Sequence, residues 1–470
     1  MDRPHLIFIF ADQMRGMDMG CAGNAEVHTP HMDRVAREGM RLPQAYANCP
    51  VCTPSRATLL TGRHALGTRV VANDLPLPED MPTIGASLQA AGYRTGYIGK
   101  WHLDGVPRAK WTPPGPRRHG FDFWAVHNCA HAYLRAHYYR DTPEPVAIHG
   151  YEPAAQTDLL LQFMDSRDQR PFAAFLSWGP PHDPYDQVPA EYLRAYDPST
   201  LTLRPNVRAI PPGAGAGDLC RGRDPRITLA QYYAQITALD AQLGRILAHL
   251  AAEGLARDTL VVFTSDHGDM LWSQGNMMKQ QPWEESIHIP LLVRWPGRVP
   301  AGRAPDGLIG VVDLMPTLLG LLQVPIPAGV QGTDLSGLVL GRTDRGPDTL
   351  YLYDLVSVDQ SLAQGIPEWR GVRTARHTYA RTRQGPWLLY DNVRDPYQLD
   401  NLAGRPGVAV LQGRMEAALQ GWLQATADPF LEGLALIERL GLAPLWNARE
   451  RELHPQAPRL VAPGSSDAVR

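Results

Sequence analysis

The chain has 470 residues with 45 Lys and Arg against 48 Asp and Glu, a length that predicts one large domain and a smaller one. Its near-balanced charge argues against a nucleic-acid partner, and no apolar run approaches the ~20 residues that span a membrane. Five irregularly spaced cysteines and a start that is not typical of a signal peptide lead us to expect a cytoplasmic protein without a membrane partner, its oligomeric state left open.

Strands and helices alternate through most of the chain. Short apolar runs predict strands at residues 6–10, 93–98, 172–176, 260–264 and 289–293. Helical periodicity predicts helices at residues 29–37, 80–91, 154–163 and 227–250, and residues 308–322 supply a further strand and helix. The alternation predicts an α/β fold with a large, mostly parallel or mixed central sheet and helices on both faces.

Residues 106–140 interrupt this pattern. They are rich in proline, glycine, histidine and aromatic residues and show no clean period, which predicts a long loop that shapes a pocket. Proline and glycine predict another loop at residues 205–217. No carboxylate or cysteine stands at ligand spacing from the histidines of the first loop, so we expect them on the surface or on a pocket wall. These histidines are His119, His127, His131 and His137.

The texture of the chain changes after about residue 345. Short runs joined by turns predict a smaller C-terminal antiparallel sheet, packed with a helix at about residues 408–425. The runs lie at residues 349–353, 371–374, 378–381 and 387–390. We therefore expect a large α/β domain over residues 1–344, a smaller subdomain over 345–430, and an extension over 431–470 that is loose at its end.

Polar residues follow several of the predicted strands. Asp12, Lys100, His182 and Asp266 each come directly after such a strand. Ligands bind at the carboxyl ends of the strands in sheets of this kind, so these four side chains are expected at one edge of the sheet.

The residues at two of these strand ends suit a divalent cation. Asp12 and Asp266 are hard oxygen donors of the kind that Ca²⁺, Mg²⁺ and Mn²⁺ prefer. Gln13 adds an amide oxygen, and His267 adds a nitrogen. A cation held here would polarise an anionic ester and lower the pKa of a hydroxyl nucleophile.

A sulfur lies at the start of a predicted helix. Thr53 suits the N-cap and Pro54 the first helical position, so Cys52 lies where unpaired N–H groups favour an anion. Arg56, one turn further on, can direct a planar cation at the same spot. Cys49 and Cys52 also have the C-x-x-C spacing of a redox pair or half of a zinc site, although the other cysteines stand alone.

The stretch from Cys52 to Arg56 matches C-x-P-S-R, and the longer run over residues 48–63 resembles the signature of the formylglycine-dependent sulfatases of the alkaline-phosphatase superfamily. The likeness spans roughly residues 4 to 425. It includes a first-strand acidic motif, a G-K-W-H-like element, a P-H-x-P-Y-like element, an S-D-H-G element, a downstream lysine and a C-terminal turn with its closing pair. These lie at residues 10–13, 99–102, 181–185, 265–268, 279, 389–391 and 401–402.

The resemblance implies hydrolysis of a sulfate monoester to an alcohol and inorganic sulfate. It implies that a formylglycine-generating enzyme oxidises Cys52 to formylglycine (3-oxoalanine), the nucleophile once hydrated. The implied catalytic residues are Cys52, Arg56, Lys100, His102, His182 and Lys279. The implied ligands of one divalent cation, with Ca²⁺ as first choice and Mn²⁺ or Mg²⁺ as alternatives, are Asp12, Gln13, Cys52, Asp266 and His267.

By the same resemblance, His182 or Lys279 protonates the leaving oxygen, and His102 takes a proton from the nucleophile. Two positions depart from the family pattern. Many sulfatases have a second aspartate where Gln13 stands and an asparagine where His267 stands. Fewer carboxylates hold a hard cation less strongly, and a nitrogen ligand shifts the preference toward Mn²⁺ or similar ions.

Three functions remain open at this point. The leading hypothesis is a sulfatase for a small sulfated sugar or aryl sulfate. The alternative is a phosphonate monoester or phosphodiester hydrolase with the same site, because both substrate classes are monoanions. The third is a non-catalytic binding protein, against which the complete set of ionisable residues argues.

Overall fold

The computed structural model describes residues 3–165, 169–208, 224–456 and 460. Its strands, in chain order, are β1 (His5–Asp12), β2 (Met40–Arg41), β3 (Ala45–Tyr46), β4 (Arg94–Lys100), β5 (Phe123–His127), β6 (His137–Tyr138), β7 (Val146–Ala147), β8 (Phe172–Pro181), β9 (Thr259–Ser265), β10 (Leu291–Arg294), β11 (Ile309–Gly310), β12 (Leu350–Asp354), β13 (Trp369–Arg373), β14 (His377–Thr382) and β15 (Gly385–Asp391). Its α-helices are α1 (Pro30–Glu38), α2 (Cys52–Thr61), α3 (Ala65–Thr68), α4 (Ile84–Ala90), α5 (Glu152–Met164), α6 (Ala190–Leu193), α7 (Pro225–Ala252), α8 (Glu284–Ile287), α9 (Val311–Leu321), α10 (Ser336–Val339), α11 (Gln360–Ala363), α12 (Ala409–Ala425), α13 (Gly433–Arg439) and α14 (Ala443–Leu453).

The central sheet has seven strands in the order β2-β10-β9-β1-β8-β4-β5. The five strands from β9 to β5 are parallel, and β10 runs antiparallel to both β9 and β2. The parallel strands bring their carboxyl ends to one edge of the sheet. The predicted large, mostly parallel sheet is confirmed.

Both faces of this sheet are buried. Along β1, Leu6 and Phe8 belong to one core cluster, whereas Ile7 and Ile9 belong to the other. Successive strand residues point to opposite faces, so a run that is apolar at every position must be covered on both sides. Helices α1, α5 and α7 contribute to the cluster on one face, and α2, α4 and α9 contribute to the other. The prediction of helices on both faces is confirmed.

The smaller sheet is antiparallel, in the order β12-β13-β14-β15. One face presents Val372 and Tyr379 to a cluster that includes Leu419 of α12. The other face presents Trp369 to a cluster that includes Trp283, which comes before β12 in the chain. The predicted C-terminal sheet and its helix are confirmed, and the sheet lies between α12 and this cluster.

Two boundaries differ from expectation. The region predicted as one long loop over residues 106–140 contains β5, which pairs with β4 and forms the edge of the central sheet. Its five residues are too few to show a period, so only pairing with β4 reveals the strand. The helix predicted from residue 80 begins at Ile84, because Thr83 caps it by accepting a hydrogen bond from Ala86 N at 3.2 Å.

The described part of the predicted C-terminal extension contains two helices, α13 and α14. Leu436 and Ile437 of α13 and Trp446 of α14 belong to the main core cluster. The expectation of a loose end concerns residues from 455 onward, most of which lie outside the described residues, as does part of the predicted loop at 205–217. Among the described residues, no helix is long and apolar enough to cross a membrane.

Candidate active site

The structure brings the four strand-end residues together. β1 ends at Asp12, β4 ends at Lys100, and β9 leads directly into Asp266. Lys100 Nζ lies 2.6 Å from Asp12 Oδ2. His182 follows β8 and lies 2.7 Å, Nε2 to Nζ, from Lys279, which itself contacts Gln13 beside Asp12. These side chains therefore lie together at one edge of the sheet, as predicted, because the parallel strands end there.

Cys52 is the first residue of α2 rather than the residue before its cap. Val51 is the N-cap, with an extended backbone, and it makes no side-chain cap. Instead, Asn73 reaches in from another loop, and its Oδ1 accepts a hydrogen bond from Thr53 N at 3.0 Å. The prediction that Thr53 caps the helix was therefore wrong, because a distant side chain supplies the partner that the first turn needs. The helix ends at Thr61, and its C-cap residue Gly62 has a φ of 62°, in the left-handed region.

Arg56 lies behind the carboxylates. Its guanidinium donates to Asp12 Oδ2 and to Asp266 Oδ2, each at 3.0 Å. A third nitrogen donates to Lys100 O and to Ser177 Oγ, both at 2.8 Å. The side chain is buried, so its five N–H donors fix the two carboxylates relative to each other.

Four side chains could hold a metal ion. Asp12, Cys52, Asp266 and His267 each offer a ligand atom within 4.8 Å of the others, and all four are buried. Cys52 Sγ lies 3.2 Å from His267 Nε2 and 3.7 Å from Asp12 Oδ1, and His267 Nε2 lies 3.6 Å from the Oδ1 atom of each aspartate. His267 Nδ1 donates to Gly268 O at 2.9 Å, which leaves the Nε2 lone pair for a cation.

The charges around this cluster favour an anion at position 52. Burial opposes ionisation of the Cys52 thiol, but Lys279, Lys100 and His267 together bring its pKa well below the ordinary range. Burial likewise opposes the Asp12 charge, but Lys100, His182 and Arg56 outweigh it and lower the pKa of that carboxyl. Burial and the neighbouring Asp12 raise the pKa of Asp266. Two buried carboxylates, an imidazole nitrogen and a sulfur anion are a donor set that fits a divalent cation.

Gln13 lies beside the cluster, and its amide faces two partners. Its Oε1 accepts a hydrogen bond from Lys279 Nζ at 2.7 Å, and its Nε2 donates to Asp269 Oδ2 at 2.6 Å. Its backbone N–H donates to Asp266 Oδ1 at 3.1 Å. Gln13, itself one of the implied metal ligands, thus links Asp266 to Lys279.

A cavity of about 530 Å³ opens above Cys52. Four of the predicted catalytic residues, Lys100, His102, His182 and Lys279, line it together with Cys52. Gln280 N donates to Pro50 O at 3.1 Å, which ties the backbone next to Lys279 to the loop before α2. Further lining residues are Asn73, Arg108, Cys129, His131, Asp183, Met278, Asp359, Gln360, Ala363, Gln364, Leu453 and His454.

Lys279 and His182 form one unit. The 2.7 Å separation of Lys279 Nζ and His182 Nε2 requires that one nitrogen donate and the other accept. His182 Nδ1 lies 2.8 Å from Asp183 O and 3.0 Å from Asp183 Oδ1, so this ring nitrogen carries a proton. Burial lowers the pKa of Lys279, but Cys52 and Asp12 outweigh burial and raise it. The pair therefore keeps a proton at the wall of the cavity that Cys52 also lines.

Several residues of the site were not predicted from the sequence, or were predicted without a role in the site. His131 was expected on a surface or pocket wall, and it does line the cavity, with its ring stacked on His182 at 4.4 Å. Asp74 holds His102 at 3.0 Å, although 28 positions separate them in the chain. His454 arrives from the C-terminal extension. No local signal marks Asp74 or His454, because each reaches the site through packing of distant segments.

The chain is similar to known sulfatases along most of its length. The Sulfatase family model matches residues 4–324, and a model described as N-sulphoglucosamine sulphohydrolase, C-terminal, matches residues 273–425. The ulvan-active sulfatase of Formosa agariphila is 38% identical over 91% of this chain and 82% of its own. The N-acetylglucosamine-6-O-sulfatase of Bacteroides thetaiotaomicron is 25% identical over 89% of this chain and 86% of its own.

Solved structures share the fold. The yidJ protein of Bacteroides fragilis superposes with a TM-score of 0.81 at 31% identity, covering 91% of this chain and 97% of its own. The phosphonate monoester hydrolase SpPMH of Silicibacter pomeroyi superposes with a TM-score of 0.74 at 25% identity, covering the same 91% and 97%. Of these two structures, the yidJ protein has both the higher sequence identity to this chain and the higher TM-score.

Proposed function

The chain belongs to the sulfatase family of the alkaline phosphatase superfamily and hydrolyses sulfate esters, and from that premise we propose how its site works and which esters it takes. The observation that carries the proposal is the cluster of Cys52 with Asp12, Asp266 and His267 at the floor of a cationic cavity. A reactive atom, a cation site and positive charge for a leaving sulfate thereby meet within one small volume.

We propose that Cys52 is converted to formylglycine by a formylglycine-generating enzyme and that Asp12, Asp266, His267 and residue 52 hold one divalent cation, with Gln13 beside them. Together the cation and the modified residue supply a hydroxyl nucleophile of lowered pKa. The two buried carboxylates support Ca²⁺ as the ion, and the imidazole ligand supports Mn²⁺ as its main competitor.

The remaining side chains act on charge and protons. Lys100 Nζ and Lys279 Nζ are placed to bind sulfate oxygens, and in a water-poor cavity they stabilise the charge that develops during transfer. The proton kept between Lys279 Nζ and His182 Nε2 is available to the leaving oxygen. His102 exchanges a proton with the nucleophile through its Nδ1, because Asp74 occupies its Nε2.

We propose a small sulfated sugar as the substrate. The cavity volume of about 530 Å³ is typical of small-molecule sites. Among the described residues that line it, no phenylalanine, tyrosine or tryptophan offers a platform for an aryl group. The lining instead includes the polar side chains of Asn73, Asp359 and Gln360, which suit hydroxyl groups. The N-acetylglucosamine-6-O-sulfatase among the relatives is consistent with this choice.

Mass spectrometry of the peptide that contains Cys52 tests the proposal, on protein produced together with a formylglycine-generating enzyme. We expect conversion of Cys52 and loss of sulfate-ester hydrolysis in Cys52→Ala. Cys49→Ala is the matched control, because Cys49 is equally buried but belongs to the core rather than to the cluster. An unmodified Cys52 together with full activity of Cys52→Ala would overturn the proposal.

Two further measurements address the metal and the ester. Asp266→Ala is expected to lose the bound cation as well as activity, and unchanged metal content would contradict the ligand set.

The likeness to SpPMH makes phosphonate monoesters the alternative substrate. Comparing kcat/KM for matched sulfate and phosphonate esters decides between them, and we expect the sulfate ester to be preferred.

A further inference from the structure

Asp74 is a buried carboxylate fixed against the nucleophile helix. Its backbone N–H donates to Thr53 Oγ1 at 3.2 Å, and the preceding Asn73 accepts from Thr53 N at 3.0 Å. The φ of Asp74 is 64°, a conformation that side chains seldom adopt and that these contacts hold in place. The position of Asp74 is therefore tied to that of Cys52, one residue before Thr53.

The Asp74 carboxylate holds one nitrogen of His102. His102 Nε2 donates to Asp74 Oδ1 at 3.0 Å, and the backbone N–H of His102 donates to Asn128 O at 2.7 Å. His102 Nδ1 is buried and has no oxygen or nitrogen partner among the described residues. The ring lines the cavity with Cys52 and Cys129 and interacts with both thiols, so Nδ1 is the nitrogen that faces sulfur, including that of residue 52. A carboxylate, an imidazole and a nucleophile in this order are the arrangement that orients a proton-transfer group.

Arg108, which lines the cavity, forms a bidentate ion pair with the Asp74 carboxylate. Its Nε donates to Asp74 Oδ1 at 2.8 Å and a second nitrogen donates to Asp74 Oδ2 at 2.7 Å. The Arg108 side chain is 36% exposed and lines the cavity. Asp74 does not itself line this cavity, but an unscreened carboxylate directly behind His102 and Arg108 would still repel an anionic ester, and the bidentate guanidinium cancels that charge.

We propose that Asp74 is the positioning residue for His102 and that Arg108 screens the Asp74 charge from the anionic substrate. The catalytic part of this inference rests on the proposed function. The ring orientation and the binding of free sulfate do not, so they can be measured even in a protein that hydrolyses nothing.

The variant Asp74→Asn, in the metal-loaded and matured enzyme, tests the positioning role. An amide can turn its NH₂ group toward His102 Nε2 and so release the ring. We expect kcat to fall by about 100-fold or more, the range of proton-transfer catalysis, with KM not raised, because the same change leaves the Arg108 charge free to attract the anion. A crystal structure of the variant should show the His102 ring turned or displaced.

Asp104→Asn is the matched control. Asp104 is buried and paired with Arg117 and Thr112 but does not line the cavity among the described residues. The control should keep kcat within about twofold, as expected of a site outside the chemistry. If Asp74→Asn keeps both wild-type kcat and the wild-type ring position, the positioning role is wrong.

A double-mutant cycle tests the screening role, with inorganic sulfate as the probe and calorimetry as the measurement. Arg108→Gln should weaken the Kd of sulfate by about tenfold, because it leaves Asp74 unscreened. Combined with Asp74→Asn, the same change should return Kd to within about threefold of the wild type. A double variant that binds sulfate as weakly as Arg108→Gln alone would mean that Asp74 is not the charge that Arg108 screens, which overturns the screening role. If free sulfate binds as expected but no sulfate ester is hydrolysed, the proposed function fails while the screening role stands.

Discussion

Arg56 shows at the scale of one residue how a buried cation can organise an anionic site. It contacts Asp12, Asp266, Lys100 and Ser177, all from the side away from the cavity. Burial of a single charge is costly, but a charge with this many hydrogen-bonded partners is satisfied. The Oδ1 atoms of both aspartates are thereby left for the cluster with His267.

We predict that Arg56→Lys is severely destabilising. An ammonium cannot reach both carboxylates and Lys100 O at once, so charge is left unpaired in the core. The free energy of unfolding should fall by about 3–5 kcal/mol, and bound metal should be lost. Urea denaturation and elemental analysis measure the two effects.

Arg34→Lys is the control for this change. The Arg34 side chain is 38% exposed and pairs with Glu38 on the surface of α1. Its replacement should alter the free energy of unfolding by no more than about 0.5 kcal/mol. Equal stability of the Arg56 and Arg34 variants would show that the buried bridge does not hold the carboxylates.

At the scale of elements, α1 and α7 are joined by a cap that neither helix supplies locally. Thr29, the N-cap of α1, makes no side-chain cap. Asp240, in the middle of α7, instead accepts hydrogen bonds from Met32 N at 2.7 Å and from His31 N at 3.1 Å. A carboxylate from one helix thus closes the first turn of another.

This contact predicts a pH dependence of stability. Burial raises the pKa of Asp240 to about 7, although the two backbone donors oppose the rise. The folded protein therefore holds this proton more tightly than the unfolded chain, whose carboxyl has its ordinary pKa of about 4. The stabilisation is complete below about pH 4 and is lost as pH rises through about 7.

Asp240→Asn should remove that dependence. Between about pH 4 and 8, wild-type stability should fall by up to about 4 kcal/mol more than that of the variant. Urea denaturation across this range measures the difference, and Asp158→Asn, at an exposed site on α5, should keep the wild-type slope. A variant slope equal to that of the wild type would show that Asp240 is already ionised in the folded protein.

At the scale of the whole molecule, the C-terminal helices complete the catalytic cavity. Arg449 of α14 donates to Asn73 O at 2.9 Å and to Asp359 Oδ2 at 2.6 Å. Leu453 and His454, at the end of the same helix, line the cavity. Asn73 in turn holds the first turn of α2. The C-terminal extension, which the sequence led us to treat separately, is therefore connected to the start of α2 through two successive contacts. Arg449 contacts Asn73, and Asn73 contacts Thr53.

Truncation tests this dependence. A chain that stops after residue 430 should lose several °C of thermal stability and most of its kcat/KM, because Trp446 and Arg449 leave buried partners behind. A chain that stops after residue 460 should keep both. In the full-length protein, Arg449→Gln should lower kcat/KM, whereas Arg451→Gln, exposed on the same helix, should not. Full activity and stability of the shorter chain would remove the extension from the site.

Local pattern was enough for much of the fold and for the candidate residues. The apolar runs of β1 and the other parallel strands and the period of α7 depend on neighbours within one element, so they can be predicted from the sequence. The polar residues after these strands had to meet at one edge, because parallel strands end together. The short β5 was missed because only its pairing with β4 defines it.

By itself, the sequence determined the parallel sheet, the cysteine at a helix start that we propose as the nucleophile, and the candidate side chains around it. These follow from short-range periodicity and from a motif of contiguous residues around Cys52. Only the tertiary structure decided which partner each side chain has: Arg56 behind the carboxylates, Gln13 facing Lys279, Asp74 holding His102 and α14 closing the cavity. The physical reason is that hydrogen bonds and charges act over a few ångströms, and packing of distant segments decides which atoms come that close.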